Sequence, residues 1–170
     1  VTGTVLEVKE VANQGRNILA CVIRREEKHA EPDAAYCHEP VNIHNNSREE
    51  ILKGIRDGGL TGMGGAGFPT HKKYETDKPI DALLINGAEC EPFLNCDYRL
   101  MLENGHALIN GVRLLLKGSG AQKAYICLED NKPRAAEHLR NILKQAGESG
   151  VLDADEHVEV KVLPTKYPQG

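Results

Sequence analysis

What most constrains the fold of this chain is an alternation that runs from residue 81 to residue 162. Asp81-Ala82-Leu83-Leu84-Ile85-Asn86 is short and nearly all apolar, the pattern of a strand covered on both faces. Leu108, Val112 and Leu115 then recur at i, i+4 and i+7, one face of a helix that Gly118 is placed to end. Residues 123–128 predict a second strand. Asn131 is placed to cap a further helix, with Pro133 in its first turn. Ala136, Leu139, Leu143 and Ala146 form its apolar stripe, and Gly147 its stop. Val158, Val160 and Val162 alternate with Glu159 and Lys161, which gives a third strand. Strand–helix–strand–helix–strand with short links demands parallel pairing through right-handed crossovers. The expected class is α/β: a Rossmann-like parallel sheet with flanking helices.

Ahead of this domain, residues 4–11 and 17–24 read as two strands turning at Asn13-Gln14-Gly15. The chain therefore divides into a small β segment at 1–26, a linker at 27–46 and the main domain at 47–170. Ser47 followed by Glu50 predicts a capping box ahead of Ile51, Leu52 and Ile55, and Gly58-Gly59 ends that helix.

Residues 58–67 hold six glycines in ten positions. Such a run permits positive φ and lets backbone N–H groups converge on an anion, with Lys73 just beyond as a cation. Gly62-x-Gly64-x-x-Gly67 formally matches the dinucleotide fingerprint. Its context does not, because a helix and not a strand precedes it. The spacing of a P-loop is also missing.

The second loop is Asn86-Gly87-Ala88-Glu89-Cys90-Glu91-Pro92, which leaves the first main strand at its carboxyl end and leads to Asp97. Open α/β sheets bind ligands beyond such strand ends. Asn86 offers an amide to a heterocycle or a ribityl chain, and Glu89 and Glu91 offer carboxylates to hydroxyl groups.

Composition excludes several classes. A net charge of −4 leaves no basic face for nucleic acid. No run of about 18 apolar residues is present to span a membrane. The five cysteines (Cys21, Cys37, Cys90, Cys96, Cys127) contain no CxxC and read as reduced thiols, so no metal site is expected. Aromatics make up 4% and Trp is absent, which leaves the core to aliphatic side chains.

Taken together, GLTGMGGAGFPTHKK, LLINGAECEP and CDYRLMLENG resemble the flavin-binding region of the NADH-oxidising subunit of respiratory complex I. They resemble more closely the C subunit of ion-translocating Rnf complexes, and LEDNKP and PTKYPQG fit that version as well. Ala88 and Cys90 stand where complex I subunits carry an acid and a serine. The resemblance implies that Gly62, Gly64, Gly65 and Gly67 wrap FMN while Lys73 pairs with its phosphate. It implies that Asn86 and Glu89 hold the polar atoms of the flavin, with Asp97 beside them. Glu91 would lie near the nicotinamide or its ribose, and Phe68 would stack on NADH. The implied reaction is hydride transfer from NADH to FMN, and no side chain of this chain is expected to be catalytic. The implied partners are the other subunits of a membrane Rnf complex and ferredoxin-coupled electron flow, at the cytoplasmic face of the membrane. In that family the flavin site is completed by a segment beyond residue 170, and 4Fe–4S clusters follow later, so the chain reads as a truncated and inactive piece. Two other readings share parts of the pattern: the flavin and iron–sulfur cobalamin reductase of microcompartments, and a non-catalytic docking module of the same fold.

Overall fold

The computed structural model describes residues 3–25, 41–63, 66–153 and 156–168, which fall into two compact units, Val1–Pro40 and Val41–Gly170. The first unit is an antiparallel hairpin of β1 (Gly3–Asn13) and β2 (Arg16–Arg25), turned at Gln14 and Gly15, both with positive φ. The turn predicted at Asn13-Gln14-Gly15 is the turn observed.

The second unit opens with α1 (Arg48–Asp57), and the capping box is formed: Ser47 Oγ accepts from the Glu50 amide while the Glu50 carboxylate accepts from the Ser47 amide. After the glycine loop and a 3₁₀ turn at Thr70–Lys73 come β3 (Ala82–Asn86), α2 (Cys96–Glu103), α3 (Gly105–Ser119), β4 (Lys123–Glu129), α4 (Pro133–Glu148) and β5 (His157–Leu163). The strands pair parallel in the order β3-β4-β5. This is the α/β class read from the alternation.

The core lies between one sheet face and the helices, and Ala124, Ile126, Leu128, Ile109, Val112, Leu116, Ala135 and Leu139 are all buried there. Burial of a Leu or Ile side chain of this kind contributes about 1.5–3 kcal/mol. The packing corrects several readings. The apolar run of the first strand predicts cover on both faces, yet Leu84 is 73% exposed while its neighbour Leu83 is buried. Leu84 pairs with Tyr125, which pairs with Glu159, so these side chains share the opposite face. Among the described residues that face carries Lys161 over the Tyr125 ring.

The buried stripe of α3 is Ile109, Val112 and Leu116, with Leu108 and Leu115 only partly buried at its margin. Gly118 does not end α3. It lies inside the helix against α1, where a Cβ would stand 3.3 Å from Ile51 Cγ2, and the left-handed residue that ends the helix is Gly120. In α4 the N-cap is Lys132 and not Asn131, with Pro133 at N1, and the helix runs past Gly147 to Glu148. α2 lies in a stretch where the sequence pattern assigns no element.

Candidate cofactor-binding site

Parallel pairing carries the loops after β3, β4 and β5 to one edge of the sheet, and the loop after β3, the segment after β5 and the glycine loop together line one cleft there. The Asn86 side chain closes a tight turn at the end of β3, its Oδ1 accepting from the Ala88 amide at 3.1 Å. Among the described residues its amide nitrogen makes no hydrogen bond. Gly87 follows and donates its N–H to Cys127 O at 2.9 Å, which extends the ladder by one residue. A Cβ at Gly87 would lie 2.9 Å from that carbonyl oxygen and 3.1 Å from Leu128 Cδ2, so the backbone can pass this close only as glycine.

Glu89 turns back toward α2. Its carboxylate accepts from the amides of Asp97 at 2.9 Å and Tyr98 at 3.0 Å, and from the Cys96 thiol at 3.3 Å. The first turn of α2 is thus capped by a side chain from outside the helix, while Asn95, the N-cap residue, makes no capping bond. Burial opposes the charge on Glu89, but the Asp97 and Tyr98 amides, the Cys96 thiol and the Lys132 ammonium outweigh it, and its carboxyl lies below the ordinary range. The same hydrogen bond to Glu89, aided by desolvation, raises the Cys96 thiol above its usual value.

Two arms of the glycine loop meet at a bridge between Thr61 and Pro69. The Gly62 amide donates to Phe68 O at 2.9 Å and the Thr70 amide to Leu60 O at 2.9 Å. Gly67 adopts φ +67°, a left-handed conformation that glycine accepts freely. Lys73 leaves the 3₁₀ turn and reaches the loop, its Nζ lying 3.9 Å from where a Gly62 Cβ would be. Its neighbour Lys72 is paired with Glu75, which also takes Arg56. Among the described residues Lys73 has no ion pair and no side-chain hydrogen bond.

These loops enclose a cleft of about 870 Å³ lined by Gly62, Gly67, Phe68, Lys73, Asn86, Glu89, Glu91 and Asp97. The structure therefore brings together eight of the sequence-predicted site residues. The other two, Gly64 and Gly65, lie outside the described residues. Sequence reasoning passes over Met63, Leu94 and Tyr167, which stand 96%, 51% and 68% exposed around the cleft and give it an apolar rim. It also passes over Glu129, whose carboxylate lies beneath the Glu89–Cys90 turn.

The cleft lining carries both signs of charge, with Lys73 beside Gly62 and the acids Glu89, Glu91 and Asp97 on the loop after β3 and the start of α2. Donor atoms of Glu89, Cys96 and Asp97 come within 4.8 Å of one another. A metal ion there would compete with the α2 amides that already hold Glu89. A second cleft of about 880 Å³, lined by Arg48, Lys78, Asp81 and Lys123, opens at the opposite end of the strands, away from both ligand loops. Ligands of open parallel sheets bind at the carboxyl ends, which favours the first cleft.

This is an open parallel α/β domain whose glycine loop and strand-end loop line one cleft. Residues 55–170 match the Nuo51 FMN-binding domain, and the chain belongs to that family. It is 46% identical over 126 residues to the C subunit of the proton-translocating ferredoxin:NAD(+) oxidoreductase complex of Clostridium ljungdahlii, a match that covers 73% of this chain and 25% of that protein. It is 41% identical over 124 residues to the C subunit of the Na(+)-translocating ferredoxin:NAD(+) oxidoreductase complex of Acetobacterium woodii, covering 72% and 26%. The chain thus spans about a quarter of the length of these relatives. Among solved structures it is similar to NAD+-reducing NiFe-hydrogenase in the H2-reduced state, with a TM-score of 0.66 and 26% identity over 79% of this chain and 24% of that one. No helix of the described residues is long and apolar enough to cross a membrane.

Proposed function

We propose that this chain forms the FMN-cradling part of an NADH-oxidising electron-transfer subunit in an ion-translocating ferredoxin:NAD oxidoreductase complex. The observation that carries the reading is the cleft itself, which a lysine with no ion pair among the described residues, a glycine loop and three acids line together. Its volume falls within the range of cofactor pockets, about 300–1,000 Å³. The donor set suits FMN: a cation and backbone amides for a phosphate, carboxylates for ribityl hydroxyls, and apolar surface for a ring system. The relatives from Clostridium ljungdahlii and Acetobacterium woodii, both C subunits of ferredoxin:NAD(+) oxidoreductase complexes, support the same class.

In this reading Gly62, Gly64, Gly65 and Gly67 approach the phosphate and ring, and Lys73 neutralises the phosphate. Asn86 uses its free amide nitrogen on a flavin carbonyl or ribityl oxygen while its Oδ1 holds the Ala88 turn. Glu91 and Asp97 take hydroxyl groups, and Phe68 stacks on the nicotinamide end of NADH. Glu89 serves mainly to hold α2 and hence Asp97. When bound, FMN supplies the acceptance of hydride from NADH and the onward passage of electrons. The chain contributes binding, orientation and exclusion of water. Other subunits, a peripheral position on the cytoplasmic face of the membrane, and 4Fe–4S clusters borne by the rest of the subunit complete the proposal.

The test is Lys73→Ala in the intact subunit, with FMN and riboflavin titrated separately. Loss of a charge-assisted hydrogen bond at an exposed lysine should weaken FMN about tenfold and leave riboflavin nearly unchanged. Equal losses for both ligands would remove Lys73 from the phosphate site, and no binding of either by the unmodified subunit would refute the flavin reading.

A further inference from the structure

One buried acidic side chain, at the carboxyl end of the central strand, has no place in the site as read so far. Glu129 ends β4, and it is 1% exposed. By the alternation of β4 it belongs to the face of Tyr125 and Cys127, opposite the buried Ala124, Ile126 and Leu128, so its burial comes from the loops at the strand end. Its carboxylate accepts from the Glu89 amide at 3.2 Å and lies 3.7 Å from the Cys90 thiol. Cys90 Sγ lies in turn 3.8 Å from Lys166 O, in the segment after β5. One buried carboxylate therefore gathers the loop after β3 and, through Cys90, the segment after β5.

Stability alone does not account for an acid there. Burying a carboxylate with two partners is less favourable than burying an apolar side chain of similar size. What the carboxylate does, and a leucine could not, is accept the Glu89 N–H, which would otherwise be left without a partner at a part-buried position. Glu89 and Cys90 both line the cleft, and Glu91 follows them.

We propose that Glu129 is a positioning residue for the cofactor site: it does not touch the ligand, and it fixes the Glu89–Glu91 turn in the conformation that presents Glu91 and Asn86 to the flavin. The inference rests on the FMN reading given above for its functional meaning, but the tether itself belongs to this chain's own residues.

The experiment uses Glu129→Leu and Glu129→Gln in the intact subunit, with three measurements: melting temperature without ligand, FMN dissociation constant, and amide hydrogen exchange at Glu89 and Cys90. A residue that only fills space gives binding losses that track losses of stability. A positioning residue gives a split. Glu129→Leu is expected to hold or raise the melting temperature, to weaken FMN by about tenfold, and to speed exchange of the Glu89 amide by about the same factor. Glu129→Gln keeps one acceptor oxygen for Glu89 and should recover most of the affinity and most of the protection. Unchanged FMN affinity in Glu129→Leu, or a loss matched by an equal fall in stability, overturns the proposal. So does an unchanged Glu89 exchange rate. If the unmodified subunit binds no FMN, the flavin reading fails by itself, and the exchange rates of the three proteins still decide whether Glu129 holds the turn.

Discussion

Replacing Glu89 by glutamine isolates the contact on which α2 depends. The variant keeps the shape of the side chain and one acceptor oxygen, but it sets an amide NH2 against one of two N–H donors, those of Asp97 and Tyr98. A hydrogen bond to a charged group contributes about 1.5–3 kcal/mol where it is well shielded. The carboxylate also sits at the N-terminus of α2, where a negative charge adds about 0.3–1 kcal/mol. Glu89 is only partly buried, so solvent screening brings the combined loss down to about 1–2 kcal/mol. For a chain of this size that corresponds to a fall in melting temperature of about 3–6 °C at pH 7. The pH dependence supplies the decisive reading. The native carboxyl of Glu89 lies below its ordinary value near 4.5. Its stabilisation is therefore fully present above that value and disappears as the pH falls through the lower native one. Glutamine does not titrate. Thermal or urea unfolding of both proteins from pH 7 to pH 3 should show a gap that is constant down to about 4.5 and then closes. A gap of the same size at every pH would mean that the contact is not electrostatic. No gap at pH 7 would mean that α2 does not need this cap.

Gly87→Ala should cost about 1–3 kcal/mol, read by urea unfolding, because the new methyl meets the Cys127 carbonyl and Leu128 with no space to move into. Ser47→Ala removes the acceptor of the Glu50 amide in the capping box and should cost about 1 kcal/mol, with faster exchange confined to the first turn of α1. Cys96 is exposed, yet its thiol is held up by Glu89, so its alkylation at pH 8 should be slower than that of an ordinary exposed thiol and should accelerate in Glu89→Gln.

Much of the fold is legible in the sequence because its signals are local. The hairpin turn, the Ser47–Glu50 box and the alternation of β5 each lie within a few residues of what they control. What escapes is controlled from a distance. α2 carries no readable N-terminal signal, since its cap is Glu89, well before the helix begins at Cys96. Asn95 instead accepts from Lys132. Gly118 reads as a stop because glycine serves two ends, a left-handed turn or a close approach of backbones, and only the packing of Ile51 against α3 distinguishes them. The two ligand loops can be found because their chemistry is unusual in sequence: glycines in a cluster, then Asn and two Glu at a strand end. Glu129 cannot, because an acid at the end of a strand ordinarily faces water, and only tertiary contact encloses this one. Leu84 misleads in the opposite sense. Its apolar character promises cover on a face that the described helices leave open.

The parallel order of β3, β4 and β5 also sets a timetable for the chain. β1 and β2 pair across a two-residue turn and can close in microseconds. The β3–β4 ladder instead joins segments about 40 residues apart, like the Glu89–Glu129 contact beside it. It must wait for α2 and α3 to be brought round, and non-local pairing of this kind slows folding by orders of magnitude. During that interval Ala82-Leu83-Leu84-Ile85 is an unpaired apolar segment with no charge inside it, the composition that associates between chains at high concentration. Refolding yield will therefore be set by how soon β4 reaches β3, and dilution during refolding will count for more than final stability.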